Sequence, residues 1–154
     1  MQQSTELIGL LAQACERLVS SVFAALDDEG FPGLPASAAL AVRVLARGPA
    51  TSVALAASLG VTPQAAGRVT ADLEHRGLVE RGVDTKDARA RPLALTEAGR
   101  RLAEALRRAE VTAVQQWASA SPPADLAATA RALQAYLDVS NTPPPRQQRR
   151  MRFT

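Results

Sequence analysis

The chain is predicted to be mainly α with a small β-wing, and three adjacent stretches carry that expectation. The first, VTPQAAGRVTADLEHRG from Val61 to Gly77, has the start and stop signals of one short helix. The second, TSVALAASLG just upstream, reads as another short helix ended by Gly60. The third lies downstream, where LVERGVD and RPLALT alternate apolar and polar residues around the charged turn DTKDARA. Helix, tight Gly60-Val61-Thr62 turn, helix and hairpin together make a winged helix-turn-helix.

Thr62 is expected to cap the second of these helices, with Pro63 at its first position, where a missing N–H costs nothing. Ala66, Val69 and Leu73 share the face predicted to be buried. Thr62, Gln64, Ala65 and Arg68 fall on the opposite side near the helix start. His75 and Arg76 suit the negative dipole end, and Gly77 suits a left-handed terminus. In the upstream helix Thr51 or Ser52 caps, and Val53, Leu55, Ala56 and Leu59 are the apolar positions.

The flanks read as helices. Residues 4–27 carry a stripe of Ile8, Leu11, Cys15, Leu18, Val22 and Leu26, widened by Leu7, Leu10, Ala14 and Val19. So wide an apolar face exceeds what one small neighbour covers, which predicts an interface as well as a core. DDEG and FPGLP end that helix, and residues 36–47 form the next, stopped by Gly48-Pro49. Thr96 caps a helix with Leu102, Leu106 and Ala109 or Ala113 on its stripe. After Ser121-Pro122-Pro123, residues 124–139 carry Leu126, Ala130, Leu133 and Leu137 at helical spacing. The predicted organisation is an N-terminal dimerisation helix in 1–33, the winged module in 34–95, C-terminal dimerisation helices in 96–140 and a disordered basic tail in 141–154.

Composition narrows the function. At 154 residues and 47% hydrophobic the chain can bury one core, but aromatics are only 3% and much of the apolar content is alanine. Small side chains bury little area each, so burial shared between two chains would help. No uninterrupted run of eighteen apolar residues occurs and no secretory leader is visible, so the expectation is a cytoplasmic protein without a membrane span. The tail arginines Arg146, Arg149, Arg150 and Arg152 account for more than the net charge of +3, leaving the body near −1. Within the body the positive charge gathers between Arg68 and Arg108, as in a protein that turns one surface toward phosphate. One histidine and one cysteine make neither a disulfide framework nor a tetrahedral metal site, no glycine-rich phosphate loop is present, and no cofactor is expected. An enzyme is not expected.

The run from Leu34 to Gly99 resembles the MarR family of bacterial transcriptional regulators. The resemblance is carried by ASAALAVRVLARG, by the reader helix ending in DLEHRGLVER, by the wing residues Asp84 and Asp87-Ala88-Arg89, and by LTEAG. Their order and spacing hold over about sixty residues, and the flanking helices extend the likeness to 4–140. Ala88 and Gly67 depart from the pattern, standing where a first wing arginine and a small hydroxyl residue are common. The resemblance implies a homodimer of intertwined flanking helices and a repressor released by a small aromatic effector, with Phe23 and Trp117 weighed as walls of its cleft.

For such a dimer the expected partner is double-stranded DNA bearing an inverted repeat, with half-sites roughly 34–36 Å apart. Gln64 is expected to meet an adenine edge, Arg68 a guanine edge or phosphate, and Ala65 a thymine methyl. Thr62 and Thr51 or Ser52, at two helix starts, would hold phosphate. On the wing, Arg89 would enter the minor groove, Asp87 would orient it, and Lys86 and Arg91 would meet phosphate or solvent. Two alternatives stand beside this one: a winged helix used only for protein interaction, and a redox-sensing regulator built on Cys15. Against the second, Cys15 falls on the apolar stripe as a small core residue, and Tyr136 is the only tyrosine.

Overall fold

A computed structural model describes residues 2–82 and 91–140 of the chain. Six helices and a two-stranded antiparallel sheet follow in the order α1 (Gln2–Asp28), α2 (Ala36–Leu45), α3 (Ser52–Leu59), α4 (Pro63–His75), β1 (Val79–Arg81), β2 (Leu93–Leu95), α5 (Glu97–Ser119) and α6 (Pro123–Ser140). The mainly α fold with a small wing-type sheet is therefore as predicted. The chain divides into two compact units, Met1–Val114 and Gln115–Thr154.

The first unit closes around α2, α3, α4 and the sheet. Leu55, Leu73 and Leu93 are fully buried, joined by Val42, Leu45, Leu78, Leu95 and Leu102 in one continuous core. Both short helices end in a left-handed glycine. Gly60 (φ 65) and Gly77 (φ 67) adopt a conformation a side chain would strain. Each is followed by a residue whose N–H reaches back to a carbonyl of the last turn: Val61 to Ala56 at 3.1 Å and Leu78 to Leu73 at 2.9 Å. That geometry sets the angle between α3 and α4, and then sends the chain from α4 into β1.

The strands are shorter than their alternating patterns suggested. Val79 pairs with Leu95, Glu80 with Ala94 and Arg81 with Leu93. Ala50 adds an isolated bridge to Leu93, with N–H to carbonyl distances of 3.1 and 2.8 Å. At the far side of the sheet α5 starts in close contact with β1. Thr96 caps α5 by accepting from the Gly99 N–H (3.1 Å), and its hydroxyl donates to the Gly77 carbonyl at 2.6 Å. A Cβ on Gly99 would stand 2.0 Å from the Leu78 carbonyl oxygen, so only glycine fits that approach. From there Leu102, Ala105, Leu106, Ala109 and Ala113 form the buried face of α5.

Burial along α1 changes steadily. Leu26 is fully buried and Val22 and Leu18 are half-buried, whereas Cys15, Leu11 and Ile8 are exposed. Cys15, expected as a core residue, is thus exposed in the single chain, because the stripe it lies on runs past the end of the unit's own core. The segment Glu6–Asp28 is long and apolar enough to cross a membrane, with a hydropathy of 1.4, and only 6% of that window is buried. The expectation of no span requires an unbroken apolar run, and here Glu16 and Arg17 interrupt one without removing its hydropathy.

In the second unit α6 starts after Pro122 and carries Asp125 in its first turn, favourable at the positive dipole end. Leu126 is half-buried, while Leu133, Tyr136, Leu137 and Val139 are exposed. This unit too leaves an apolar face bare.

Candidate nucleic-acid interface

The predicted reader helix α4 is two-sided. Ala66, Thr70 and Leu73 are buried, and Thr62, Gln64, Gly67, Arg68 and Ala71 are exposed. The inner face differs from expectation at one position: Thr70 takes the deep site and Val69 is only half-buried. Thr70 can do so because its hydroxyl donates to the Ala66 carbonyl one turn back (2.9 Å), so its polar atom is paired within the core.

Both helix starts are built as expected, with Thr51 rather than Ser52 as the cap of α3. Thr51 Oγ1 accepts from the Ala54 N–H and Thr62 Oγ1 from the Ala65 N–H, each at 3.2 Å. An accepting threonine keeps its own O–H to donate, so both caps still offer a proton to a phosphate oxygen. Ser52 and Ala65 are half-buried beside them.

Electrostatics on α4 are set by pairing that the sequence did not disclose. Arg76 binds Asp72 at 2.9 Å and Arg81 binds Glu74 at 2.7 Å, which neutralises both acids of the C-terminal half. Gln64 and Arg68 have no hydrogen bond or ion pair among the described residues. Among the described residues Arg68 is therefore an unpaired cation on the outer face, available to a base edge or a phosphate. Arg91 is exposed just before β2. Lys86, Asp87, Ala88 and Arg89, the wing-tip expectations, lie outside the described residues, as does the tail 141–154.

A second feature of the first unit is an apolar cavity of about 320 Å³ between α1, α2 and α5. Val22, Phe23, Ala39, Leu40 and Leu106 line it, and Arg43, paired with Glu110, supplies its polar side. Phe23, weighed as a wall residue, is in this lining; Trp117 belongs to the second unit. Among the described residues no group of three or more His, Cys, Asp or Glu could hold a metal ion.

Comparison with known proteins shows what this geometry is similar to. Residues 33–90 match the model of the MarR family. No curated protein matches the chain. Among solved structures, it resembles the Mycobacterium tuberculosis MarR family protein RV2887 in complex with salicylic acid, at 29% identity and a TM-score of 0.62, over 82% of this chain and 93% of that one. A MarR family transcriptional regulator from Rhodococcus sp. RHA1 is 26% identical with a TM-score of 0.66, over 86% and 94% of the two chains. RV1404 from Mycobacterium tuberculosis shares the fold across 93% of this chain and 97% of its own, with a TM-score of 0.69 at 24% identity. The matched segment, the capped helix-turn-helix with its small sheet and the flanking helices are similar to those of MarR family winged-helix transcription regulators.

Proposed function

We propose that the chain works as a homodimer that binds an inverted-repeat operator through α4 and represses transcription until a small aromatic ligand releases it. The observation that carries this reading is the outer face of α4, where Gln64 and Arg68 stand exposed and, among the described residues, unpaired beside the Thr62 cap. A helix of this kind, held on a buried inner face with a polar outer face at its capped start, fits a major groove. Thr51 and Thr62 would hold phosphates, Gln64 and Arg68 would reach base edges, Ala65 would meet a thymine methyl, and Ser52 and Arg91 would add backbone contacts. On the wing, Arg89, oriented by Asp87 and assisted by Lys86, would complete the contact from the minor groove. Pairing of two chains is supported by the exposed Leu7, Ile8, Leu10 and Leu11 of α1 and by the exposed Leu137 and Val139 of α6.

The ligand is proposed for the cavity of about 320 Å³ lined by Phe23, Leu40 and Leu106, whose size and apolar walls suit one aromatic ring. Arg43 at its edge would meet an acidic substituent, as on the salicylic acid with which RV2887 was solved.

Fluorescence polarisation with a duplex from upstream of the chain's own gene tests the reading. Wild type should bind with a steep salt dependence, and Arg68→Ala should cost about 1–3 kcal/mol if it reads a base, or lower the salt slope by about one unit if it holds phosphate. Salicylate should then displace the duplex from wild type and fail to do so from an Arg43→Ala variant. Equal, salt-insensitive behaviour of wild type and Arg68→Ala would instead make the winged helix a protein-interaction module.

A further inference from the structure

A larger recess, of about 460 Å³, opens between the end of α2, the 46–49 turn, β2 and one side of α5. It differs in character from the apolar cavity. Arg47, Arg100 and Arg107 line it with a single acid, Glu104. Arg100, Glu104 and Arg107 recur at helical spacing, so the side of α5 turned away from the core supplies one wall.

The charges in this recess do not cancel. Arg100 is held by Glu97 at 2.8 Å and also donates to the Leu95 carbonyl at 3.1 Å. Arg47 and Arg107 have no hydrogen bond or ion pair among the described residues. Two arginines and one carboxylate, Glu104, thus line the recess with no described partner, which leaves one positive charge in excess.

The backbone adds a donor. Gly82 donates to the Pro92 carbonyl and Thr96 to the Leu78 carbonyl, so the bonded pairs of the sheet alternate and Leu93 and Leu95 turn their polar groups to the opposite edge. On that edge Leu93 is satisfied in both directions by Ala50, and the Leu95 carbonyl accepts from Arg100. The chain leaves the edge at Gly48 and Pro49, where no pairing continues among the described residues. The Leu95 N–H is left without a described strand partner, on the edge that Gly48, Pro49 and Leu95 present to the recess.

We propose that this recess binds a small oxyanion, a carboxylate or phosphate compound, between the guanidinium groups of Arg47 and Arg107 and the N–H of Leu95. Guanidinium forks and a fixed backbone donor are a recurrent match for anionic oxygens, and the volume is that of a small-molecule site. Its chemistry is distinct from that of the apolar cavity between α1, α2 and α5, so the two would take different ligands.

The test uses the full chain without DNA, titrated with inorganic phosphate or with succinate against sodium chloride at matched ionic strength. The Leu95 amide resonance should shift saturably and the melting temperature should rise with at least one of the two anions; which one responds assigns the ligand as phosphate or carboxylate. Arg47→Ala and Arg107→Ala should each weaken that binding about tenfold, and Arg101→Ala, outside the recess, should leave it unchanged. Non-saturating shifts, or the same response in an Arg47→Ala/Arg107→Ala double variant, would overturn the proposal. So would a double variant whose only defect is weaker duplex binding with a lower salt slope, since the recess would then serve the DNA backbone. Because the titration contains no DNA, its failure leaves operator binding by α4 untouched.

Discussion

Two regions of the first unit treat their apolar residues in opposite ways. In the segment from α2 to β2, Leu55, Leu73 and Leu93 are fully buried within the unit's own core. Along α1 the same kind of side chain goes from 0% exposed at Leu26 to 40% at Leu11 and 70% at Ile8. The first region completes its burial within one chain, while the second leaves its apolar area for something else to cover. Stability in the two regions should therefore answer to different variables, internal packing in one and protein concentration in the other.

The largest effect is expected where burial is complete. Leu73→Ala should cost about 2–5 kcal/mol, with the same loss at every protein concentration. An Ile8→Ala/Leu11→Ala double variant should behave otherwise. Its melting temperature should fall further below wild type as both samples are diluted, and sedimentation should show more monomer. If the double variant melts like wild type at all concentrations, the α1 face is not a dimer surface.

Gly99→Ala should come next, at about 1–3 kcal/mol or more, since the new Cβ would meet the Leu78 carbonyl oxygen at 2.0 Å. A backbone oxygen cannot yield as a flexible side chain would, so α5 must shift away from Leu78. Thermal melts of the purified variant measure this. A variant as stable as wild type would mean that the junction of sheet and α5 is loose.

Gly67→Ala should have a smaller effect and the opposite sign. Gly67 is exposed in the interior of α4, and a Cβ there would have open space for 4 Å around it, so alanine should stabilise the helix by about 0.8–1 kcal/mol. If the outer face meets DNA, the added methyl should at the same time weaken operator affinity. Tighter binding together with higher stability would show that Gly67 does not face the duplex.

Much of this was legible in the sequence because it is local. Thr51, Thr62 and Pro63 announce helix starts, and Gly60 and Gly77 announce ends, through chemistry confined to one turn. Features made by residues distant in the chain were not legible. Thr70 reads as polar until its bond to Ala66 is seen, and a one-residue bridge at Ala50 has no period to detect. The close approach of Gly99 to Leu78 and the meeting of Arg47 with Arg107 depend on how the α2 end, the sheet and α5 come together. Arg68 was legible as a residue but not as the arginine left unpaired among the described residues of this face, because Arg76 and Arg81 were equally basic on paper and turned out to be engaged by Asp72 and Glu74.

The smallest effect separates a third kind of exposed residue from both regions. Glu97 is as open to solvent as the apolar residues of α1, yet its partner lies within its own helix: Arg100 donates to it from Nη2 at 2.8 Å and from Nε at 3.2 Å. That hydrogen bond, then the charge of Arg100 and to a lesser degree that of Arg101, holds the carboxyl below the ordinary glutamate range, against a small opposing effect of burial. A carboxyl depressed in the folded state adds stability above its unfolded value and loses it as pH falls through the folded one. The melting difference between wild type and Glu97→Gln should accordingly be small at neutral pH and vanish in acid, and the wild-type carboxyl should titrate by NMR below a free glutamate. Salt should shrink the difference, because the pair is screened by water, and dilution should not change it, because no second chain is involved. A Glu97 effect that grew on dilution would place the start of α5 in the same class as the bare face of α1.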